Sequence, residues 1–127
     1  MKVVFDTFAW IEYFNGSKAG EKVKQILESQ ENEIFSSIIT ISEVCSILKR
    51  EKRDPELAYK NIQNLSRISF MSPEFAKEAG ILHAETRTKI KDFGMIDSII
   101  LLTARKLGAK IVTGDPHFKD FKEAILI

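Results

Sequence analysis

Four acidic residues, Asp6, Glu43, Asp97 and Asp115, stand in settings that ordinary surface acids do not share. Asp6 closes the apolar run Val3-Val4-Phe5, and Asp115 follows Ile111-Val112-Thr113 by a short turn, so both are expected to leave strands at one edge of a sheet. Taken singly, each aspartate could equally be a helix cap or a turn residue. On a helix, Glu43 has Ile39 and Ile47 one turn away on either side, so its row is otherwise apolar. Asp97 opens the most apolar helical stretch of the chain, with Ile100, Leu101 and Ala104 on its own face. The plainer alternatives are a surface glutamate beside two exposed isoleucines and an aspartate that complements a helix dipole. A buried carboxylate, however, is costly unless it is paired or bound to a cation, and no basic residue occupies these rows. Converging carboxylates offer the hard oxygen donors that magnesium or manganese prefers. Such an ion lowers the pKa of a bound water and neutralises charge on a leaving oxygen, so phosphodiester hydrolysis is the natural reaction class.

The elements that must position these acids can be read from periodicity and punctuation. Short strands are expected over Lys2 to Asp6, Glu33 to Ser36, Ile68 to Met71 and Lys110 to Thr113, with a fifth over Ala124 to Ile127. Thr7 to Phe14 is a compact aromatic-rich segment that Asn15, Gly16 and Ser17 end with turn chemistry. Helices are expected over Lys18 to Ser29 and Ile38 to Arg53, the latter with a core stripe of Ile41, Val44, Cys45 and Leu48. Asp54-Pro55 and Ser72-Pro73 are two start signals that place a capping side chain before a proline, and the second helix runs toward Lys89. Asp92-Phe93-Gly94 breaks that pattern, and a further helix spans Ile96 to Leu107 before Gly108 stops it. Strands alternating with helices imply parallel pairing through right-handed crossovers, hence an α/β class with a mostly parallel sheet between helical layers.

A chain of 127 residues is the size of one domain, so residues 1–127 are expected to form one unit. Its net charge of +1 supplies no global positive field, so any nucleic-acid contact must be local. The candidate basic stretches are Lys49, Arg50, Lys52 and Arg53, and Arg87, Lys89 and Lys91, with solvated helix ends as the plainer alternative. Cys45 is the only cysteine, which excludes an intrachain disulfide and a cysteine-rich zinc site. No apolar run is long enough to cross a bilayer and no signal peptide precedes the first strand, so a cytoplasmic location is expected.

Four segments together resemble the PIN-domain family: Val3-Val4-Phe5-Asp6-Thr7, Ile41-Ser42-Glu43-Val44, Met95-Ile96-Asp97-Ser98-Ile99-Ile100, and Ile111-Val112-Thr113-Gly114-Asp115-Pro116-His117-Phe118. They span essentially the whole chain, and their order and spacing are specific as a set. The nearest branch is the VapC-type toxins, small nucleases of toxin-antitoxin pairs. The resemblance implies a three-layer α/β/α fold, a magnesium- or manganese-dependent endoribonuclease acting on RNA, an antitoxin partner and a homodimer. It places the family's four metal-binding and catalytic acids on Asp6, Glu43, Asp97 and Asp115, and a supporting hydroxyl residue on Thr113. Two positions depart from it. Phe8 stands where the family often has a small hydroxyl residue, and His117 where it often has a further acid. His117 is expected to be a solvated or capping loop residue.

Other functions remain open at this stage. A metal- or RNA-binding module without catalysis would share the fold, and its signature would be RNA affinity that survives loss of the acids. A phosphotransfer receiver domain would need paired acids at the first strand, and Asp6 has only Phe5 and Thr7 beside it. Cysteine-protease chemistry from Cys45 with His83 or His117 is disfavoured, because Cys45 falls on a core stripe. Trp10, Tyr13 and Phe14 form an aromatic surplus that could supply the dimer surface, or could pack into the core.

Overall fold

The computed structural model describes residues 1–127. In chain order it contains β1 (Lys2–Phe5), α1 (Thr7–Asn15), α2 (Lys18–Glu28), β2 (Glu33–Ser37), α3 (Ile38–Arg50), α4 (Pro55–Leu65), β3 (Arg67–Ser69), α5 (Pro73–Arg87), α6 (Met95–Leu107), β4 (Lys110–Thr113), a short 3₁₀ turn (Pro116–Phe118) and β5 (Ala124–Leu126). The five strands form one sheet in the order β3-β2-β1-β4-β5, and every pair is parallel. Parallel strands need crossovers, and the helices that supply them cover both faces.

Alternation along the strands splits the core into two layers. Val3, Phe5, Ile34 and Val112 face Trp10, Val23, Val44 and Ile62 of the first four helices. Their neighbours Val4, Phe35 and Ile111 point the other way, toward Ile100, Leu101 and Ala104 of α6 and the rings of Phe93 and Phe118. The expected three-layer α/β/α architecture is therefore the observed one. Because the central strands are covered twice, β1 and β4 carry nearly unbroken apolar runs, while β2 follows Ile34 and Phe35 with the small buried residues Ser36 and Ser37.

Several boundaries differ from the sequence reading. Asp6 ends no strand; it sits one residue beyond β1 as the cap of α1, and the aromatic-rich segment after it is a regular helix. The long helix stops at Arg50 instead of Arg53, because Lys52 takes a left-handed φ of 59° and the Arg53 amide donates to the Leu48 carbonyl at 2.8 Å. β3 covers Arg67–Ser69, and Phe70 is left 75% exposed, since its neighbour β2 turns into α3 after Ser37 and offers no further ladder partner. Of the two places left open for Trp10, the structure has the core: it is fully buried, its indole N–H donates to Ser36 Oγ at 2.9 Å, and its ring packs on Phe5, Tyr13 and Phe14. It therefore cannot contribute to a dimer surface. Cys45 is half-buried with Sγ 3.9 Å from the Pro55 carbonyl, and burial, then Glu56, push its thiol upward, so it is no activated nucleophile.

Candidate active site

In this strand order the chain leaves β1 toward β2 and β3, and later returns to the other side of β1 with β4. The connections diverge between β1 and β4, which opens a crevice beyond the carboxyl ends of those two strands. Asp6 and Asp115 emerge there from neighbouring strands, with the Asp6 amide donating to the Val112 carbonyl at 3.4 Å. Glu43 comes from the second turn of α3, and Asp97 from the first turn of α6. All four line a single cleft of about 380 Å³ with Thr7, Phe8 and Gly114 among its walls, and no lysine or arginine lines it. Gly114 is required by close approach. A Cβ there would lie 2.1 Å from the Phe8 ring, so the bulky residue at position 8 is accommodated by the absence of one at 114.

Each aspartate also does the local job that the sequence allowed as an alternative. Asp6 Oδ1 accepts from the Ala9 amide at 2.9 Å, Asp97 Oδ2 from the Gly94 amide at 2.8 Å, and Asp115 Oδ1 from the His117 amide at 2.8 Å. One oxygen of each carboxylate is thus tied to backbone, which fixes the side chain, while the second is not bound by the backbone. Capping and site-building are the same act here. Glu43 is fixed differently, by the Thr7 hydroxyl donating to its Oε1 at 2.6 Å across 36 residues of sequence. The Asp115 amide donates to Thr113 Oγ1 at 2.9 Å, so Thr113 shapes the turn that carries Asp115. Thr113 also acts on Asp6, since its side chain lowers the Asp6 pKa.

The electrostatics are those of a site that lacks cations of its own. Asp6 is 8% exposed, and its pKa is raised to about 7. Burial is the main cause, Thr113 and the Ala9 amide oppose it, and the charges of Asp115 and Asp97 add to it. Burial also raises Asp97; the Gly94 amide opposes that shift, Asp115 adds to it, and His117 opposes it. The sequence reading expected acids in apolar rows without a basic partner at Glu43 and Asp97; both are half-buried, and the acid of the cleft that is buried is Asp6.

One residue of the cleft that holds an acid, Thr7, was not singled out from sequence, and one residue beside the cleft, His117, is placed differently from the expectation. Thr7 could not have been, because nothing local ties it to Glu43. His117, expected to be solvated or capping, instead sits with Nδ1 3.0 Å from Asp115 Oδ1 and 3.7 Å from Asp97 Oδ2. Donor atoms of Asp97, Asp115 and His117 all lie within 4.8 Å of one another. Asp6 and Glu43 line the same cleft but stand outside that tight group. The basic stretches near Arg50 and Arg87 contribute nothing to the lining.

Comparison with curated proteins finds no match. Solved structures give clear likenesses. A toxin-antitoxin complex from Klebsiella pneumoniae contains a chain 25% identical, with 97% of this chain and 95% of that one covered at a TM-score of 0.74. VapBC2 from Rickettsia felis, bound to a DNA fragment from its promoter, is 20% identical over 100% and 98% of the two chains, at a TM-score of 0.75. VapC20 from Mycobacterium tuberculosis, described as a sarcin-ricin-loop-cleaving toxin, is 17% identical over 86% of each chain, at a TM-score of 0.70. These last two likenesses speak to the fold. The family model of the PIN domain matches residues 3–124, nearly the entire chain, and the chain belongs to the PIN-domain family.

Proposed function

We propose that this protein is a divalent-metal-dependent endoribonuclease that hydrolyses RNA phosphodiester bonds, and that it is the toxin of a toxin-antitoxin pair. The observation that carries the reading is the convergence of Asp6, Glu43, Asp97 and Asp115 on one cleft whose lining has no basic residue. Partly buried carboxylates that repel one another, with oxygens free of the backbone, are the donor set that magnesium or manganese fits. The four acids would hold the ion, and Thr113 would support them through Asp6 and Asp115.

When bound, a divalent cation supplies Lewis-acid polarisation of a phosphate and an acidified water. The chain's own residues do the rest. The backbone amides of Ala9, Gly94 and His117 and the Thr7 hydroxyl fix the four carboxylates before any ligand arrives, so little reorganisation is needed. Asp6, its pKa raised to about 7 chiefly by burial, would give up its proton on taking a cation. Phe8, 39% exposed at the cleft wall, and Pro116 give the substrate an apolar border.

The company this fold keeps supports an antitoxin partner: the similar Klebsiella chain belongs to a toxin-antitoxin complex. A groove between α1, α3 and α4, lined by Phe14, Leu48 and the 61% exposed Leu57, offers an apolar surface for an antitoxin segment. A homodimer and a cytoplasmic location complete the reading; no helix is long and apolar enough to cross a membrane. Light scattering over a range of concentrations tests the dimer, and a monomeric mass throughout would remove it.

The central test is cleavage of total RNA by purified protein with manganese, with magnesium and with chelator. Cleavage is expected only with a divalent ion and is expected to vanish in Asp97→Asn. Equal cleavage by that variant, or cleavage in excess chelator, would overturn the assignment. RNA binding that survives loss of the acids with no cleavage by the wild type would identify a non-catalytic module instead.

A further inference from the structure

His117 is crowded in a way that hydrogen bonding does not explain. Its Nδ1 is shielded from solvent and has no hydrogen-bond partner, although Asp115 Oδ1 is only 3.0 Å away and Asp97 Oδ2 3.7 Å away. The distance to Asp115 would suit a hydrogen bond, but the alignment does not. The atom is left buried beside two carboxylates without the partner that a ring nitrogen needs. A shared cation supplies that partner. Around an ion with ligands at about 2.1 Å in octahedral array, neighbouring donors stand about 3.0 Å apart; Nδ1 lies 3.0 and 3.7 Å from two carboxylate oxygens, each of which accepts one backbone amide and keeps a second lone pair, and donors of the three residues lie within 4.8 Å of one another.

The ring's position is also not accidental. Pro116 starts the 3₁₀ turn, the His117 amide is held by Asp115 Oδ1 at 2.8 Å, and the next residue, Phe118, is buried against Phe93 and Phe121. A turn pinned on both sides of the histidine presents Nδ1 to the acids in a fixed pose.

We propose that His117 Nδ1 is a direct ligand of the cleft's cation, giving a mixed nitrogen and carboxylate site that selects manganese over magnesium. The proposal rests on the reading of the cleft as a divalent-cation site. A set made of carboxylates alone suits magnesium and manganese alike, whereas an imidazole nitrogen adds affinity for the transition ion and little for magnesium. A histidine in place of a further acid therefore changes which ion the site prefers, not merely how tightly it binds.

The test is ion binding to the full-length protein. Manganese is titrated by EPR, magnesium by competition against it, for the wild type, His117→Ala, His117→Asp and Asp97→Asn. Bound manganese in the wild type is expected to show nitrogen couplings in pulsed EPR that disappear in His117→Ala. The preference for manganese over magnesium is expected to drop about tenfold in both His117 variants, with magnesium affinity kept or raised in His117→Asp. The wild-type spectrum stands on its own should a variant fail to fold. A wild-type spectrum without nitrogen coupling, or an unchanged preference in the variants, would overturn the ligand assignment. If Asp97→Asn still abolishes manganese binding in that case, the cleft remains a cation site and only the histidine's role is lost. Absence of manganese binding by the wild type would overturn both.

Discussion

The two ends of α6 and β4 hold buried carboxylates of opposite kinds. At one end, Glu123 is 9% exposed and meets Arg105, whose Nε donates to its Oε1 at 3.0 Å, while Lys110 Nζ donates to the nearby Lys122 carbonyl. Burial would raise the Glu123 pKa, but its own backbone amide, Arg105 and Lys122 outweigh that and bring it down. At the other end, Asp6, Asp97 and Asp115 meet one another, and burial drives Asp6 and Asp97 upward without a lysine or arginine to oppose it. The same sheet and the same helix thus support a carboxylate that the fold neutralises and carboxylates that it leaves to be neutralised from outside. The contrast teaches how to separate a structural acid from a functional one: burial is common to both, and the partner differs.

The largest break between the two ends should come from paired amide substitutions. Asp97→Asn is expected to lower divalent-dependent RNA cleavage by about a hundredfold or more with the fold intact, because the amide keeps the Gly94 cap while losing charge. Parallel kinetics and circular dichroism check both halves; comparable turnover would erase the distinction. Thr7→Val removes only the hydroxyl that holds Glu43, so a loss of about tenfold in cleavage is expected, with thermal stability little changed. Rescue by Thr7→Ser, which restores the donor, would separate positioning from packing.

The unneutralised end should also be visible in stability, with a definite sign. In chelator, Asp6 keeps its proton in the folded state up to about pH 7 and loses it in the unfolded state near 3.8. The unfolded chain therefore binds fewer protons in that window, and stability falls as pH rises through it. Asp6→Asn, which can still cap Ala9, should melt higher than the wild type at pH 8 without metal, with the gap closing as pH falls toward 4. Saturating manganese should reverse the order, because only the wild type gains a ligand. A melting difference that ignores pH would show that Asp6 is already neutralised. The smallest effect belongs to the neutralised end. Glu123→Gln should leave cleavage unchanged and cost under about 1 kcal/mol in urea unfolding, since Arg105 is 42% exposed and the pair is screened. A drop in cleavage there would dissolve the comparison.

Much of this was legible in the chain, for identifiable reasons. The runs at Val3, Ile34 and Ile111 announced doubly covered strands, and Asp54-Pro55 and Ser72-Pro73 announced helix starts; Asp54 Oδ1 caps Glu56 and Ser72 Oγ caps Phe75 as expected. The boundaries at Arg50 and Ser69 were not legible, because each is set by a turn or a neighbour strand rather than by the local residues. Trp10 was ambiguous for the same reason: an aromatic row on a short helix has one meaning against Ser36 and Phe5 and another against solvent.

By itself the sequence determined the alternation of strands and helices, and with it the crevice, since parallel strands with right-handed crossovers gather their carboxyl ends on one edge. It also determined which acids lie in apolar rows. Only the tertiary structure decided what those acids face. Thr7 reaches Glu43 and His117 reaches Asp97 through contacts that no local spacing encodes, and Arg105 stands beside Glu123 at the opposite end of the helix that carries Asp97. The physical reason is that burial follows from local hydrophobic pattern, whereas the energy of a buried charge depends on the few atoms within about 4 Å of it, which the packing of distant segments supplies.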